Sequence, residues 1–323
     1  MDMANLLIRS PWFIDEKHVT SESAYRNRRS FLREMALGGV LAGVSTTIPT
    51  WGADATSERA STVPAIFPAK RNPDFNPKVR LSDEKMVLTY NNFYEFSTRK
   101  ESVHRLVDKF VISPWSIEVG GLCEKPMRLD ANELPSMFPM EERVCRFRCV
   151  EAWAMIVPWT GFPLSALIER AQPKSEAKFV RFVTAMKPNQ MPGIERLSDY
   201  PWPYTEGLRM DEAMHPLVLV GTGLYGKPLA KQNGAPVRVV VPWKYGYKSI
   251  KSIVKIEFVA KQPATLWETL SAKEYPFESN VDPAVPHPRW SQATERLIDT
   301  GDRVPTEKYN GYGNLVGKLY SKA

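Results

Sequence analysis

Prolines restrict the fold of this chain more than any other feature of its sequence. There are 27 prolines among 323 residues, and a proline inside a helix removes a hydrogen bond and clashes with the preceding turn. Few stretches show the spacing of a long amphipathic helix, whereas short runs of β-branched and aromatic residues recur along the chain. The pattern predicts an α+β fold with mixed β-sheets and long loops.

Several short segments have a recognisable local pattern. Leu164–Ala171 has the apolar spacing of a helix and follows Pro163. Proline is favoured at the start of a helix, so we predict a helix here. Strands are predicted over Phe179–Thr184, Ile253–Val259, 215–220 and 237–242, and a strand with a turn over 113–121. No internal repeat is visible, so we expect one domain over residues 80–323.

The N-terminal region is typical of an export signal. Arg28 and Arg29 precede Phe31, Leu32 and a weakly apolar stretch of small residues over 35–48. This order is typical of a twin-arginine signal peptide, here residues 1–52 with cleavage between Thr46 and Ala55. Residues 53–80 read as an irregular lead segment. The twin-arginine (Tat) machinery exports folded proteins, so we expect a periplasmic protein that acquires a cofactor before export.

Composition narrows the classes of partner. The chain is 43% hydrophobic and 24% charged, as ordinary globular proteins are, and its formal net charge is +7. No uninterrupted apolar run reaches the roughly 20 residues of a membrane-spanning helix. Basic residues do not form runs interleaved with aromatics, so we expect no nucleic-acid partner; an anionic small ligand or a membrane surface suits the charge better.

Three cysteines leave an unpaired thiol in an oxidising compartment. Cys145, Phe147 and Cys149 alternate with two arginines, which is the period of a strand. In a strand, Cys145 and Cys149 would lie about 13 Å apart, too far for a disulfide. Cys149 is then either a small buried hydrophobe or a soft metal ligand. No zinc or haem spacing accompanies it, so a metal would need other ligands, which a pterin dithiolene would supply.

Four sequence blocks in a fixed order extend this interpretation. Over residues 80 to about 300 they resemble the molybdopterin-binding domain of the sulfite oxidase family, and within it the exported bacterial catalytic subunits that reduce protein methionine sulfoxide. The blocks are residues 91–96, 148–153, 211–216 and 233–238, the last followed by 242–251. The expected fold is therefore a sulfite-oxidase-type molybdopterin-binding domain.

The resemblance implies a set of site residues. Cys149 falls at the position of the molybdenum ligand, and Glu151 and Asn92 are the candidates for tuning the metal or relaying protons. The pterin and its phosphate would be held by Asn91, Tyr94, Glu95, Thr184, Asn233, Arg238, Ser249, Ile250 and Lys251. Arginine, lysine and a glycine turn suit a phosphate, so Lys248 is a further candidate.

Some roles stay open at this point. Glu151 would share a face with Cys149 if the backbone remains extended, or it is a solvated or salt-bridged glutamate, with Arg148 as a possible partner. Trp153 and Trp159 are expected to be pocket walls or core.

The resemblance also implies an activity and partners. We expect a molybdenum-dependent oxidoreductase with a molybdopterin that carries no nucleotide, which repairs methionine sulfoxide in oxidised periplasmic proteins by oxygen-atom transfer. The sequence contains no haem module, so electrons should come from a haem-containing membrane subunit. One alternative is a sulfite dehydrogenase-type enzyme, which needs arginines such as Arg146 and Arg148 around the metal, or an enzyme for small S- or N-oxides. A second alternative is an exported binding protein without enzymatic activity.

Overall fold

The structure is a computed structural model that describes residues 66–76 and 79–321. All of these residues belong to one compact unit. The predicted signal peptide, residues 1–52, lies outside the described residues, as does the first part of the predicted lead segment. Within 66–76 and 79–321, no helix combines the length and apolar character needed to cross a membrane.

Short helices and strands alternate irregularly along the chain. The α-helices are α1 Glu84–Thr89, α2 Leu134–Met137, α3 Leu164–Ala171, α4 Pro192–Arg196, α5 Met210–Ala213, α6 Leu266–Ser271 and α7 Gly313–Val316. The strands are β1 Ser116–Gly121, β2 Met127–Asp130, β3 Glu141–Arg148, β4 Trp153–Pro163, β5 Phe179–Thr184, β6 Thr205–Arg209, β7 Leu219–Leu224, β8 Lys227–Pro228, β9 Arg238–Val240, β10 Ile253–Val259, β11 Thr294–Leu297 and β12 Arg303–Pro305.

The strands form two mixed sheets. The first has the order β2-β1-β10-β5-β6, in which β1 and β10 are parallel and the other pairs antiparallel. The second has the order β12-β11-β4-β7-β8, with β3 on β4 and β9 on β7; here only β11 and β4 are parallel. Mixed sheets with few and short helices confirm the α+β prediction.

Local pattern predicted several elements with their bounds. The helix α3 and the strands β5 and β10 are confirmed as predicted. In α3 the buried residues are Leu164, Leu167, Ile168 and Ala171, the spacing of one helix face. The alternation around the cysteines is also confirmed as strand β3, which ends one residue before Cys149. All three cysteines are free thiols.

Two predicted strands are displaced or shortened. The strand expected over 215–220 is β7, which begins only at Leu219, because Val218 N donates to His215 O (3.0 Å) and closes a turn after α5. The strand expected over 237–242 is β9, which ends at Val240. There Val241 N donates to Ser249 Oγ (3.0 Å) instead of to a neighbouring strand.

The described part of the lead segment attaches to the second sheet. It contains one short 3-10 turn, Pro73–Phe75, and no longer element within 66–76. The Arg71 guanidinium pairs with Glu142 of β3 (2.7 Å), whose side chain is 8% exposed. This contact fixes the segment to the strand that leads to Cys149.

Candidate active site

The turn between β3 and β4 carries Cys149. Cys149 N donates to Trp153 O (2.9 Å) and Ala152 N donates to Cys149 O (3.2 Å). Ala152 has a φ of 60°, the left-handed region that reverses the chain within this connection. Cys149 is 6% exposed, and it lines a pocket that opens to solvent.

Side chains from the far end of the sequence hold this turn in place. Trp290 Nε1 and Gln292 Nε2 both donate to Val150 O, at 2.8 and 2.7 Å. The buried Arg148 guanidinium donates to Cys149 O and pairs with Glu295 (2.9 Å). The buried carbonyl groups of the turn are therefore satisfied, so the position of the thiol is fixed by several independent contacts.

Two polar side chains contact the thiol, and a lysine pairs with one of them. Glu151 Oε2 lies 3.5 Å from Cys149 Sγ. Asn92 Nδ2 donates to Cys149 Sγ (3.4 Å) and to Glu151 Oε2 (3.2 Å). Lys100 Nζ contacts both carboxylate oxygens of Glu151, at 3.0 and 2.9 Å.

The structure corrects the expected reason for the contact between Cys149 and Glu151. An extended backbone was expected to align the two side chains, but residues 149–152 form a turn and the side chains meet across it. The salt bridge of Glu151 is made with Lys100, because Arg148 is occupied by Glu295.

The charge state of the thiol and the carboxylate follows from these contacts. Burial, reinforced by the charge of Glu151, raises the pKa of the Cys149 thiol well above its usual range. Burial also opposes ionisation of Glu151, but Lys100 and the hydrogen bond from Asn92 hold the pKa of the carboxyl below its usual value. The carboxylate is ionised at neutral pH, and a cation at the sulfur is what would release the thiol proton.

The structure brings together twelve of the site residues that the sequence suggested. They line one pocket of about 900 Å³, part of which is open to solvent. They are Asn91, Asn92, Tyr94, Glu95, Cys149, Glu151, Thr184, Asn233, Arg238, Ser249, Ile250 and Lys251.

One end of this pocket, which we call the polar end, consists of Asn91, Asn233, Arg238 and Lys251. Asn91 and Asn233 each donate their amide N–H to Val87 O, at 2.9 and 3.0 Å, so both side chains have a fixed direction. Their Oδ1 atoms are buried without a hydrogen-bond partner among the described residues. A buried acceptor without a donor is costly, so these two atoms indicate a ligand with N–H groups.

Two cations at the polar end have no salt bridge within 66–76 and 79–321. Arg238 donates to Asn233 O and Ser249 O (2.8 Å each) and contacts no carboxylate. Burial lowers its pKa to about 9. Burial and the neighbouring Arg238 lower the pKa of Lys251 to about 7, although Glu95 opposes this shift. Arg238 is buried, and Lys251 is partly exposed with Glu95 as an opposing charge. A bound anion would stabilise both charges, so the polar end fits a phosphate group.

Close backbone packing shapes the pocket at two glycines. Gly193 N, at the start of α4, donates to Glu95 O (2.7 Å), and a Cβ at Gly193 would lie 2.1 Å from Tyr94 O. Gly234 has a φ of 99°, and a Cβ there would lie 2.7 Å from the Lys251 side chain. Only glycine permits both approaches.

Three basic residues that the sequence suggested lie outside the pocket. Lys248 pairs with Glu206 (2.6 Å), and both side chains are 1% exposed, so it does not reach a phosphate at the polar end. Arg146 and Arg148 both contact Glu295, at 3.1 and 2.9 Å. They do not line the pocket around Cys149.

The two tryptophans of β4, Trp153 and Trp159, differ in position. Trp153 lines the pocket, and its Nε1 lies 3.5 Å from Glu151 Oε2. Trp159 is fully buried in the core and does not line the pocket.

Sequence reasoning missed Lys100, Trp267 and Tyr275. Lys100 stands in an ordinary charged stretch, and its role appears only through its contact with Glu151, 51 residues away. Trp267 and Tyr275 also line the pocket. For Trp267, the local signal in the sequence is an aromatic residue at the start of the short helix α6.

The residues present fit a molybdopterin. Within the described ranges, no group of three or more His, Cys, Asp or Glu side chains could hold a metal ion by itself. A metal at Cys149 would therefore take its remaining ligands from a bound group, and the unpaired Oδ1 atoms and cations of the polar end match a pterin and its phosphate.

Comparison with known proteins agrees with this geometry. The family described as "Oxidoreductase molybdopterin binding domain" matches residues 104–267. A relative from Xanthomonas axonopodis pv. citri, described as the protein-methionine-sulfoxide reductase catalytic subunit MsrP, is 47% identical over 95% of both chains. The MsrP of Campylobacter jejuni is 47% identical over 94% of this chain and 96% of its own.

One solved structure has a partial likeness. The sulfane dehydrogenase SoxCD from Paracoccus pantotrophus is 21% identical, with a TM-score of 0.41, over 52% of this chain and 42% of its own. The assignment rests on the closer sequence relatives and the family match. The chain is an oxidoreductase with a molybdopterin-binding domain and belongs to the family of protein-methionine-sulfoxide reductase catalytic subunits, MsrP.

Proposed function

We propose that this protein reduces methionine sulfoxide in oxidised proteins of the periplasm, with electrons from a haem-containing membrane subunit. The observation that carries the proposal is that Cys149 lines the same pocket as the polar end suited to a pterin, while its Sγ contacts the partly exposed Asn92 and Glu151 at the mouth. The names of the relatives supply the substrate class.

The cofactor in this proposal is a molybdenum-pterin without nucleotide. Bound in the pocket, it would supply two-electron oxygen-atom transfer. Cys149 would hold the metal, Arg238 and Lys251 the phosphate, and Asn91 and Asn233 the donor edge of the pterin.

The side chains of the mouth have defined tasks in the reduction. Conversion of a sulfoxide to a thioether and water consumes two protons and two electrons. Glu151 Oε2 is an ionised acceptor that lies 3.5 Å from Cys149 Sγ, so it can receive a proton from solvent and pass it inward. Lys100 keeps that carboxylate in place, and Asn92 offers an amide donor beside the sulfur.

The electrostatics of the mouth argue against a sulfite dehydrogenase. Sulfite is a dianion and needs unpaired cations at the reacting centre. The carboxylate of Glu151 stands beside Cys149, and the nearest lysine is already paired with it. Arg146 and Arg148 are paired with Glu295. A neutral, dipolar sulfoxide suits this arrangement better.

The first test is the content of bound molybdenum and pterin. We expect the mature protein, purified from cells supplied with molybdate, to contain about one molybdenum and one pterin per chain, and Cys149→Ser to lose most of the metal. Cys145→Ser is the control, since that buried thiol does not line the pocket. Wild-type protein without molybdenum would rule out the proposal.

Activity assays test the substrate class. With reduced viologen dye as donor, we expect turnover of peptide methionine sulfoxide by the wild type. Sulfite oxidation with an artificial acceptor should be far slower, and a faster sulfite reaction would replace the proposed function by a sulfite dehydrogenase. Cell fractionation, with Arg28 and Arg29 both changed to Lys, tests the periplasmic location.

A further inference from the structure

The mouth of the pocket has an aromatic wall, which we define as Tyr94, Trp267 and Tyr275. The ring centroids of Tyr94 and Trp267 are 4.9 Å apart with a T-shaped arrangement, and those of Trp267 and Tyr275 are also 4.9 Å apart. All three line the pocket and are partly exposed, whereas Asn91, Asn233 and Arg238 at the polar end are 2–5% exposed. The wall therefore stands between the buried end and solvent.

The indole of Trp267 is the middle ring of the wall and is fixed by the helix α6. Thr265 caps this helix by accepting a hydrogen bond from Glu268 N (3.4 Å), and the adjacent Leu266 is buried in the core. Behind the indole lies Tyr200, with ring centroids 6.3 Å apart. A ring held on two sides presents a preformed face to the pocket and loses little entropy when a ligand binds.

The charges near the wall are balanced. Glu151 and Lys100 neutralise each other, and Asn92 is the uncharged donor beside Cys149. The two unpaired cations, Arg238 and Lys251, belong to the polar end, where they suit a phosphate. An aromatic face beside a neutral polar centre suits a ligand with one dipolar group and an apolar, polarisable chain.

We propose that Trp267 is a specificity-determining residue, whose indole packs on the S-alkyl chain of the sulfoxide and selects the methionine side chain over small sulfoxides. This inference rests on the proposed function. A methionine sulfoxide side chain carries one methylene group, Cβ, beyond the two carbons that are attached to sulfur in dimethyl sulfoxide. That methylene is what an aromatic wall at the mouth can contact in addition. The oxygen and sulfur remain at the side of Asn92 and Cys149.

The test compares two substrates in the molybdenum-loaded enzyme. With reduced viologen as donor, Trp267→Ala should lower the ratio of kcat/KM for a methionine sulfoxide peptide to kcat/KM for dimethyl sulfoxide by about fourfold, since one buried methylene contributes about that factor. The loss should come from a higher KM for the peptide, with kcat changed less than about twofold. Trp267→Phe, which keeps an aromatic face, should retain most of the ratio.

Tyr225→Ala is the control. Tyr225 is a partly exposed aromatic residue outside the pocket, and its Oη donates to Ser82 O (2.7 Å). It should leave the substrate ratio unchanged. If Trp267→Ala fails to fold, Trp267→Leu, which keeps apolar volume without a ring, should still lower the ratio.

Three results would overturn the inference in distinguishable ways. An unchanged ratio in Trp267→Ala or Trp267→Leu, with an active wild type, would reject the role of Trp267 alone. Loss of molybdenum or pterin from either variant would assign the indole to holding the cofactor instead. A loaded wild type that does not reduce the peptide would reject the proposed function and this inference together.

Discussion

Lys248 and Lys251 are three residues apart and have opposite electrostatic environments. Lys248 is 1% exposed and forms a buried ion pair with Glu206 at 2.6 Å. Lys251 has no salt bridge among the described residues, and burial lowers its pKa to about 7. The first lysine contributes to the folded state through this pair. The second is partly exposed, is influenced by Glu95 without a salt bridge, and is free to pair with a bound anion.

This contrast predicts that replacing each lysine by methionine has a different effect on stability. Lys248→Met should lower the free energy of unfolding by about 3–5 kcal/mol, because Glu206 is left buried and unpaired. In cofactor-free protein, Lys251→Met should change the free energy of unfolding by less than about 1 kcal/mol, because the side chain is partly exposed and no salt bridge is lost. Its pterin content after loading should fall. Chemical denaturation of both variants checks this, and equal destabilisation would contradict the assignment of Lys251.

At the scale of elements, the β3–β4 connection determines where the chemistry lies. Its backbone turns sharply at Ala152, the left-handed residue, and brings Cys149 and Glu151 to one side. Trp290 and Gln292 hold the same turn through Val150 O. A change in this turn should therefore affect both stability and the metal site.

Substitutions at Ala152 test that link. Ala152→Val should lower the free energy of unfolding by about 1–2 kcal/mol, because a β-branched residue is strained at a φ of 60°. Its molybdenum content should fall as the thiol and Glu151 move apart. Ala152→Gly should keep the metal and stay within about 1 kcal/mol of the wild type. Thermal unfolding and molybdenum analysis of both variants test this prediction. A normal molybdenum content in Ala152→Val would argue against a rigid turn.

At the scale of the whole molecule, a buried ion pair joins the middle of the chain to its C-terminal part. Arg148 and Glu295 are 0% and 1% exposed and lie 2.9 Å apart. They stand next to the one parallel pairing of the second sheet, between β4 and β11. Arg146 also reaches Glu295 and, on its other side, the exposed Glu307 at 3.0 Å.

Substitution of each glutamate by glutamine should distinguish the contribution of a buried ion pair to stability from that of an exposed one. Glu295→Gln should lower the free energy of unfolding by about 3–5 kcal/mol, because the buried Arg148 loses its counter-charge. Glu307→Gln, which removes an exposed partner of Arg146, should cost about 1 kcal/mol or less. Denaturant titration measures both. A small effect of Glu295→Gln would show that Gln292 and Thr306, the other partners of Arg148, suffice.

Local sequence pattern predicted the elements whose residues determine them alone. Runs of β-branched and aromatic residues predict β5 and β10, and the spacing of four apolar residues after Pro163 predicts α3. Leu217 and Val218 have the same apolar, β-forming character, but a turn after α5 takes up the Val218 N–H and the strand begins at Leu219. Propensity does not distinguish these cases, because the difference lies in the available backbone partners.

The sequence by itself determined the fold class, the family resemblance and, through that resemblance, twelve of the residues that line the pocket, because these depend on residue type and order. The tertiary structure decided which charges are paired. Glu151 is paired with Lys100 and Arg148 with Glu295, while Arg238 and Lys251 remain available for an anion. It also brought Trp267 to the mouth. Burial and charge compensation arise between residues that are distant in sequence, and only folding brings them into contact.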